Sequence, residues 1–149
     1  MGGCGYEDPI TVVSGDREVS YIQLMSLFGS KKCFKHAVSA GGYDLGGVAK
    51  YAVAGGDIEI IHILEQSGVS FDSCFETAVK FHRDDICYWL LTHYKCEEIS
   101  ISSAIEYHNL NVLMFLILNG IGSNDIGECL IIASANGSFR FKEVLQTCS

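Results

Sequence analysis

The sequence is poor in proline, in positive charge and in long apolar runs. It contains one proline, and its ten lysines and arginines face 18 aspartates and glutamates, for a formal charge of −8. This balance argues against nucleic-acid binding, which depends on clustered basic side chains. The longest purely apolar run, 112–118, is too short to cross a bilayer, and no apolar targeting segment follows the start. We therefore expect neither a nucleic-acid partner nor a membrane partner.

The cysteine usage argues against a secreted disulfide framework. Seven cysteines, an odd number, are scattered along the chain, whereas such frameworks normally have an even count in a smaller, loop-rich chain. Hydrophobic residues make up 48% of the sequence, which is enough to build a core. We expect a soluble, cytoplasmic protein with reduced thiols.

A sequence pattern repeats five times. The copies are anchored at Met25, Ala52, Ala78, Ala104 and Ala133. Successive anchors are 27, 26, 26 and 29 residues apart. A repeat of this length is typical of a solenoid, in which each unit buries its apolar face against its neighbours.

Each copy predicts two antiparallel helices. Apolar residues lie eight, nine and twelve positions after the anchor, as Ile60, Ile61 and Leu64 do after Ala52, and this spacing marks one face of a helix. A second apolar position three before the anchor predicts a shorter first helix. The tight turn between the helices falls four after the anchor, at Gly29, Gly56, His82, His108 and Gly137.

The repeat divides the chain into two segments. We predict that 20–149 forms the repeat domain and that 1–19, with Pro9 and several glycines, forms a loop or a loosely docked arm. The last copy carries Phe139 and Phe141 and no polar capping repeat follows it. Since solenoids need polar caps, we expect either a segment of a longer array or an end that contacts another molecule.

The copy at Ala52 resembles the ankyrin repeat. The positions that match the ankyrin pattern, with every spacing kept, are Ala52, Gly56, Glu59, Ile60, Ile61, Leu64 and Gly68. The amino-acid sequence of the chain is similar to those of divergent ankyrin proteins that are abundant in parasitic protists. The resemblance implies an all-α solenoid of about five stacked antiparallel helix pairs.

Two departures from the ankyrin pattern modify this expectation. The Thr-Pro-Leu-His segment is absent, since Gly47, Val48, Ala49 and Lys50 stand before Tyr51. The period is also shorter than the usual ~33 residues. We therefore predict shortened or absent β-hairpin fingers, blunt loops and almost no sheet.

The resemblance also implies a binding groove on the first helices, at positions one before and two and three after each anchor. These are Phe28, Tyr51, Thr77, Lys80, Phe81, Ser103, Glu106 and Tyr107. Phe28, Phe81 and Tyr107 share one offset, so they are expected to form an aromatic row that anchors a protein partner. Alternatively, these rings pack between the repeats.

A protein-interaction scaffold without cofactor or catalytic activity is the function that the resemblance implies. The alternative is a structural spacer, or a segment of a longer array that associates end to end with itself. A small metal or thiol enzyme is a third possibility. His82, Cys87, His93 and Cys96 are ligand types for zinc, but the repeat register separates them. The same register places Cys33 and Cys87 on the buried stripe, as core residues.

Overall fold

The computed structural model describes residues 11–14, 17–96, 99–121 and 126–147. Within these ranges the protein is all-helical apart from one two-stranded hairpin. The helices are α1 (Tyr21–Leu27), α2 (Lys31–Ala40), α3 (Val48–Gly55), α4 (Ile58–Gln66), α5 (Phe75–Lys80), α6 (Asp84–His93), α7 (Ile101–Glu106), α8 (Leu110–Leu118), α9 (Ile126–Ala135) and α10 (Phe139–Thr147).

Each of the five predicted copies is one helix pair, which confirms the helical pattern. The turn residue of every copy has the predicted left-handed backbone. Its φ angle is 64° at Gly29, 79° at Gly56, 54° at His82, 56° at His108 and 66° at Gly137. The two histidines adopt a conformation that other L residues enter at a cost, so the repeat geometry imposes it on them.

The chain divides into two compact units, one ending at Ser70 and the other beginning at Phe71. In the first unit α1 packs on α3 and α2 packs on α4. Its core consists of fully buried apolar side chains from all four helices, among them Ile22, Phe34, Val48, Val53, Ile60 and Leu64. Asp57 fixes the start of α4 by accepting hydrogen bonds from the backbone N–H groups of Glu59 and Ile60.

Close approach of α1 and α3 depends on Gly55. A Cβ atom at this position would lie 2.5 Å from the backbone oxygen of Ser26 and 2.7 Å from that of Leu27. Both distances are far inside van der Waals contact, so only glycine fits at the end of α3. Gly55 stands three after its anchor, where three of the other four copies carry an aromatic residue.

In the second unit α5 packs on α7, α6 packs on α8, and α7 packs on α9. Fully buried side chains include Ala78, Val79, Cys87, Leu90, Ala104, Ile105, Leu113 and Leu116. An aromatic cluster adds to this core: the ring centroid of buried Phe71 lies 5.5 Å from that of Trp89 and 5.8 Å from that of Tyr94. Both are edge-on contacts that favour a fixed packing.

A buried polar side chain joins two helix pairs of the second unit. Asn109 is 1% exposed, and its Oδ1 caps α8 by accepting a bond of 3.1 Å from the N–H of Val112. Its Nδ2 donates to the backbone oxygen of Val79 at 3.3 Å and to Asp84 Oδ1 at 2.9 Å. Asn111 donates to the other oxygen of Asp84 at 2.8 Å. Amide side chains of one helix pair thus donate hydrogen bonds to acceptor groups next to the turn and at the start of the second helix in the pair before it.

In the first unit, ion pairs instead of amide hydrogen bonds join the two helix pairs. Lys31 Nζ lies 3.3 Å from Asp57 and 3.4 Å from Glu59, and Lys35 also pairs with Glu59. The link therefore uses the same repeat positions as in the second unit, because Lys31 corresponds to Asp84, Asp57 to Asn109 and Glu59 to Asn111.

An antiparallel hairpin occupies part of the segment predicted as a loop or loosely docked arm. Strands β1 (Thr11–Ser14) and β2 (Arg17–Ser20) pair with Val12 opposite Val19. Their valines favour strands. The rest of the predicted arm lies outside the described residues. Among the described loops that join the helix pairs there is no strand.

The side chain of Cys33 is exposed, so the prediction that it lies in the core is wrong. Cys87 is fully buried as predicted. Cys33 stands eight after its anchor, and the residues at this position in α4, α6 and α8 are buried. No described helix pair covers the side of α2 that carries Cys33, which explains the difference.

One side of the α9–α10 pair is polar. Within the second unit, Ile105 and Leu113 are buried in the pair that packs on α9. The corresponding residues of α9 and α10 are Ser134, which is exposed, and Lys142, which is half-buried. This side therefore carries polar groups, although Phe139 nearby in the chain is 79% exposed.

Candidate functional site

The three aromatic residues predicted to contact a partner end the first helices of their pairs. Phe28, Phe81 and Tyr107 are the C-caps of α1, α5 and α7, with φ angles of −90°, −94° and −90°. Each is followed by the left-handed turn residue. These three residues therefore occupy the same position of the repeat with nearly the same backbone conformation.

The exposure of these side chains differs. Phe28 in the first unit is 76% exposed and Phe81 in the second is 45% exposed. Tyr107 is half-buried. The alternative that the rings pack between repeats thus fails for Phe28 and Phe81. Tyr51, on α3 of the first unit, is half-buried.

Within the second unit, Tyr107 rests on the surface of α5. Its O–H donates to Glu76 Oε1 at 3.3 Å, and Lys80 Nζ lies 5.6 Å from the centroid of its ring. Partial desolvation raises the pKa of the Tyr107 hydroxyl, and the charge of Glu76, its hydrogen bond and the charge of Glu106 raise the pKa further. The charges of Glu76 and Glu106 thus both act on the hydroxyl of Tyr107, and the ammonium of Lys80 lies over its ring.

The remaining predicted residues of this unit lie on the same two helices or at their ends. Lys80 and Glu106 are exposed, and Thr77 and Ser103 are half-buried. Since α5 packs on α7, these side chains belong to adjacent first helices. We call the surface formed by Glu76, Thr77, Lys80, Phe81, Ser103, Glu106 and Tyr107 the α5–α7 face.

Sequence reasoning missed the position two before each anchor. It is occupied by Glu76 on α5 and by Ile131 on α9, which is 71% exposed. The signal was present in the spacing, because this position lies four residues before Lys80 and Ala135 and therefore on the same helix face.

The candidate zinc ligands do not converge. Cys87 is fully buried on α6, whereas His82 is exposed at the turn before that helix. His93 Nδ1 lies 3.0 Å from the backbone oxygen of Trp89 and 2.8 Å from Thr92 Oγ1. Nowhere in the described part of the chain do three histidine, cysteine or acidic side chains lie together in a way that could hold a metal ion.

Two thiols of the second unit, Cys87 and Cys96, are poor nucleophiles. Burial raises the pKa of the Cys87 thiol to about 12, with a smaller contribution from the charge of Asp84. Burial also raises the pKa of Cys96, assisted by Asp72. Because the thiolate is the reactive form, neither thiol is activated for catalysis at neutral pH.

The described helices pack in consecutive pairs, and one family model matches the part of the sequence that forms the central pairs. Residues 47–118 match a family described as a domain of unknown function, DUF3447. The match spans α3 to α8, the three central pairs. No curated protein matches the chain significantly, and neither does any solved structure. In addition, none of the described helices has the length and apolar character needed to cross a membrane.

Proposed function

We propose that the chain is an ankyrin-like repeat scaffold that binds a protein partner through its first helices and has no catalytic activity. The observation that carries this proposal is the exposed aromatic ring of Phe81 at the end of α5, together with the half-buried, polar-contacted ring of Tyr107 at the end of the adjacent helix α7. Aromatic residues of this kind are enriched at the energetic centres of interfaces, because they bury large areas with few rotatable bonds.

The surrounding structure supports the proposal by holding these rings on a rigid base. Ala78, Val79, Ala104 and Ile105 are fully buried directly before the two aromatic caps. The caps themselves are fixed by backbone bonds, from Phe81 N–H to the oxygen of Thr77 and from Tyr107 N–H to that of Ser103. A preorganised surface loses little conformational entropy on binding, which favours recognition.

Site-specific photocrosslinking tests the proposal. A photoreactive phenylalanine analogue replaces Phe81 in one variant and Leu118, which is 75% exposed on α8, in a control variant. We expect a defined partner to crosslink in cell extract through position 81 and not through position 118. The Tyr107→Ala substitution should weaken that crosslink at unchanged helical circular dichroism.

Two results would count against the proposal. Equal crosslinking at both positions would indicate nonspecific contact. Crosslinking at position 81 only to a second copy of the chain would instead support the structural or self-associating spacer. The exposed Ile131 and Phe139 side chains favour that alternative.

A further inference from the structure

We infer that the α5–α7 face recognises a basic segment of a partner protein, in which an arginine or lysine side chain lies next to an apolar one. This inference rests on the proposed function and names the chemistry of the partner. The cation would bind over the ring of Tyr107, between the carboxylates of Glu76 and Glu106, and the apolar side chain would pack on Phe81.

The geometry shows that a cation fits over this ring. Lys80 Nζ lies 5.6 Å from the Tyr107 centroid, within the distance at which a cation is attracted to an aromatic face. The hydroxyl of the same ring donates to Glu76 at 3.3 Å, which holds the hydroxyl end of the ring against α5. Lys80 thus marks the place that a partner's cation would occupy.

The charge around the ring favours a positive ligand. Glu76 and Glu106 are exposed acidic groups that both act on the Tyr107 hydroxyl, against one ammonium from Lys80. The unit as a whole is acidic, since residues 71–149 contain ten aspartates and glutamates and five lysines and arginines. Electrostatic complementarity of this kind selects basic partners and accelerates their association.

Lys80 acts in this scheme as an internal competitor. In the free protein its exposed side chain occupies the cation position, and on binding it has to swing away into solvent. A lysine on a flexible stem can do so without disturbing α5. Removing Lys80 should therefore strengthen binding of a basic ligand, whereas it would weaken binding of an acidic ligand, for which Lys80 would be the anchor.

Peptide arrays provide the test. The probes are short random peptides with a fixed central arginine, lysine, glutamine or glutamate beside a fixed leucine, and the labelled protein is the full chain. We expect the arginine and lysine arrays to bind more strongly than the glutamine and glutamate arrays. For the best basic peptide, Lys80→Ala should raise the affinity about two- to fivefold, the strength of one exposed cation–π contact.

The acidic variants complete the design. Glu76→Gln with Glu106→Gln should lower the affinity of that peptide severalfold and reduce its dependence on salt. Leu118→Ala, on α8, is the control and should leave the affinity unchanged. Circular dichroism verifies that each variant keeps its helices.

Several outcomes overturn the inference. No preference for basic peptides, a loss of affinity in Lys80→Ala, or unchanged affinity in the double glutamine variant would each contradict it, and so would the absence of binding to any array. The proposed function is tested separately by crosslinking at position 81. A defined partner that crosslinks there and still binds the double glutamine variant would leave the scaffold function intact and remove only the charge preference.

Discussion

At the scale of single residues, Gly55 is the clearest case of a residue fixed by packing. Gly55 lies within α3 and has no positive φ angle, so alanine can adopt its backbone conformation. At such a position the change from glycine to alanine usually adds about 0.4–1 kcal/mol of stability, because alanine restricts the unfolded chain. At Gly55 the backbone oxygens of Ser26 and Leu27 occupy the space that the methyl group would need. Restriction of the unfolded chain and the clash in the folded protein change the stability in opposite directions. The sign of the stability change on Gly55→Ala therefore shows which effect is larger.

We predict that Gly55→Ala destabilises the protein. The backbone of α1 has to move to relieve contacts of 2.5 and 2.7 Å, and overpacking of this kind costs about 1–3 kcal/mol. Urea unfolding followed by circular dichroism measures the change. A variant more stable than the natural protein would show that α1 and α3 do not approach as closely as the structure indicates.

The thiols make a second prediction at this scale. Exposed Cys33 should react with iodoacetamide at pH 8 in the folded protein, and fully buried Cys87 should react only after unfolding. With a pKa of about 12, Cys87 is roughly one part in ten thousand thiolate at that pH. Peptide mass spectrometry identifies the labelled sites, and modification of Cys87 in native protein would contradict its burial.

The raised pKa of Cys87 also affects stability at alkaline pH. The folded state holds this proton more tightly than the unfolded state, in which the pKa is near 9.0. The contribution of Cys87 to the free energy of unfolding is therefore fully present below that pH and is lost as the pH rises toward about 12.

For single residues, the sequence predicted correctly the features that recur in every copy of the repeat. It failed for residues whose surroundings differ from those of the same position in other copies. The turn residues His82 and His108 were predicted correctly, because every copy needs a left-handed residue at that position. The core assignment of Cys33 was wrong, since burial depends on a neighbouring helix pair and not on the helix stripe alone. The steric need for Gly55 was likewise invisible, because no spacing rule reports how closely two backbones approach.

At the scale of helices, the link through Asn109 connects consecutive pairs. Its amide group is needed as both acceptor and donor: Oδ1 caps α8 while Nδ2 donates to Val79 and Asp84. Aspartate would keep the cap and lose both donated bonds. It would also place a carboxylate against that of Asp84 in a buried site.

We predict that Asn109→Asp lowers the free energy of unfolding by about 2–4 kcal/mol, the cost of leaving a buried charge without its partner. Adding Asp84→Asn should recover at least half of the loss, because the new amide can donate to the aspartate. A double-mutant cycle in urea measures this coupling. Additive losses would mean that the two side chains do not interact.

The helices themselves could be predicted because their signal is repeated five times. Hydrophobic period and small anchors define each pair locally, and the structure confirms both. The α5–α7 face was identified only in part, since Glu76 lies one helical turn before Lys80, the position that the ankyrin resemblance indicates. The polar links were not identified, because they join residues about 25 positions apart.

At the scale of the whole molecule, the polar side of α9–α10 bears on self-association. Ser134 and Lys142 replace the apolar residues that adjacent pairs bury at these positions. The ammonium of Lys142 is costly to bury without a partner, and Ser134, whose hydroxyl donates to the backbone oxygen of Leu130, offers little apolar surface, so this side resists stacking on another helix pair.

We predict that the protein is monomeric in solution and that Ser134→Val with Lys142→Leu promotes self-association. Light scattering coupled to size-exclusion chromatography over a dilution series checks both statements. The control is Phe139→Ala, which removes an exposed ring without changing the polar side. Oligomers of the natural protein that dissociate in the control would instead favour the spacer alternative.

The repeated C-cap geometry has a consequence for how such a protein can change. Phe28, Phe81 and Tyr107 share nearly the same backbone angles, with φ between −94° and −90°. Each cap is closed by a hydrogen bond of its own backbone N–H, and its side chain is exposed or half-buried. We therefore expect substitutions at these caps to cost little stability and to give access to new specificities. Gly55, at the equivalent position of α3, cannot vary in this way. The chain thus separates the positions free to diversify from the one that is fixed.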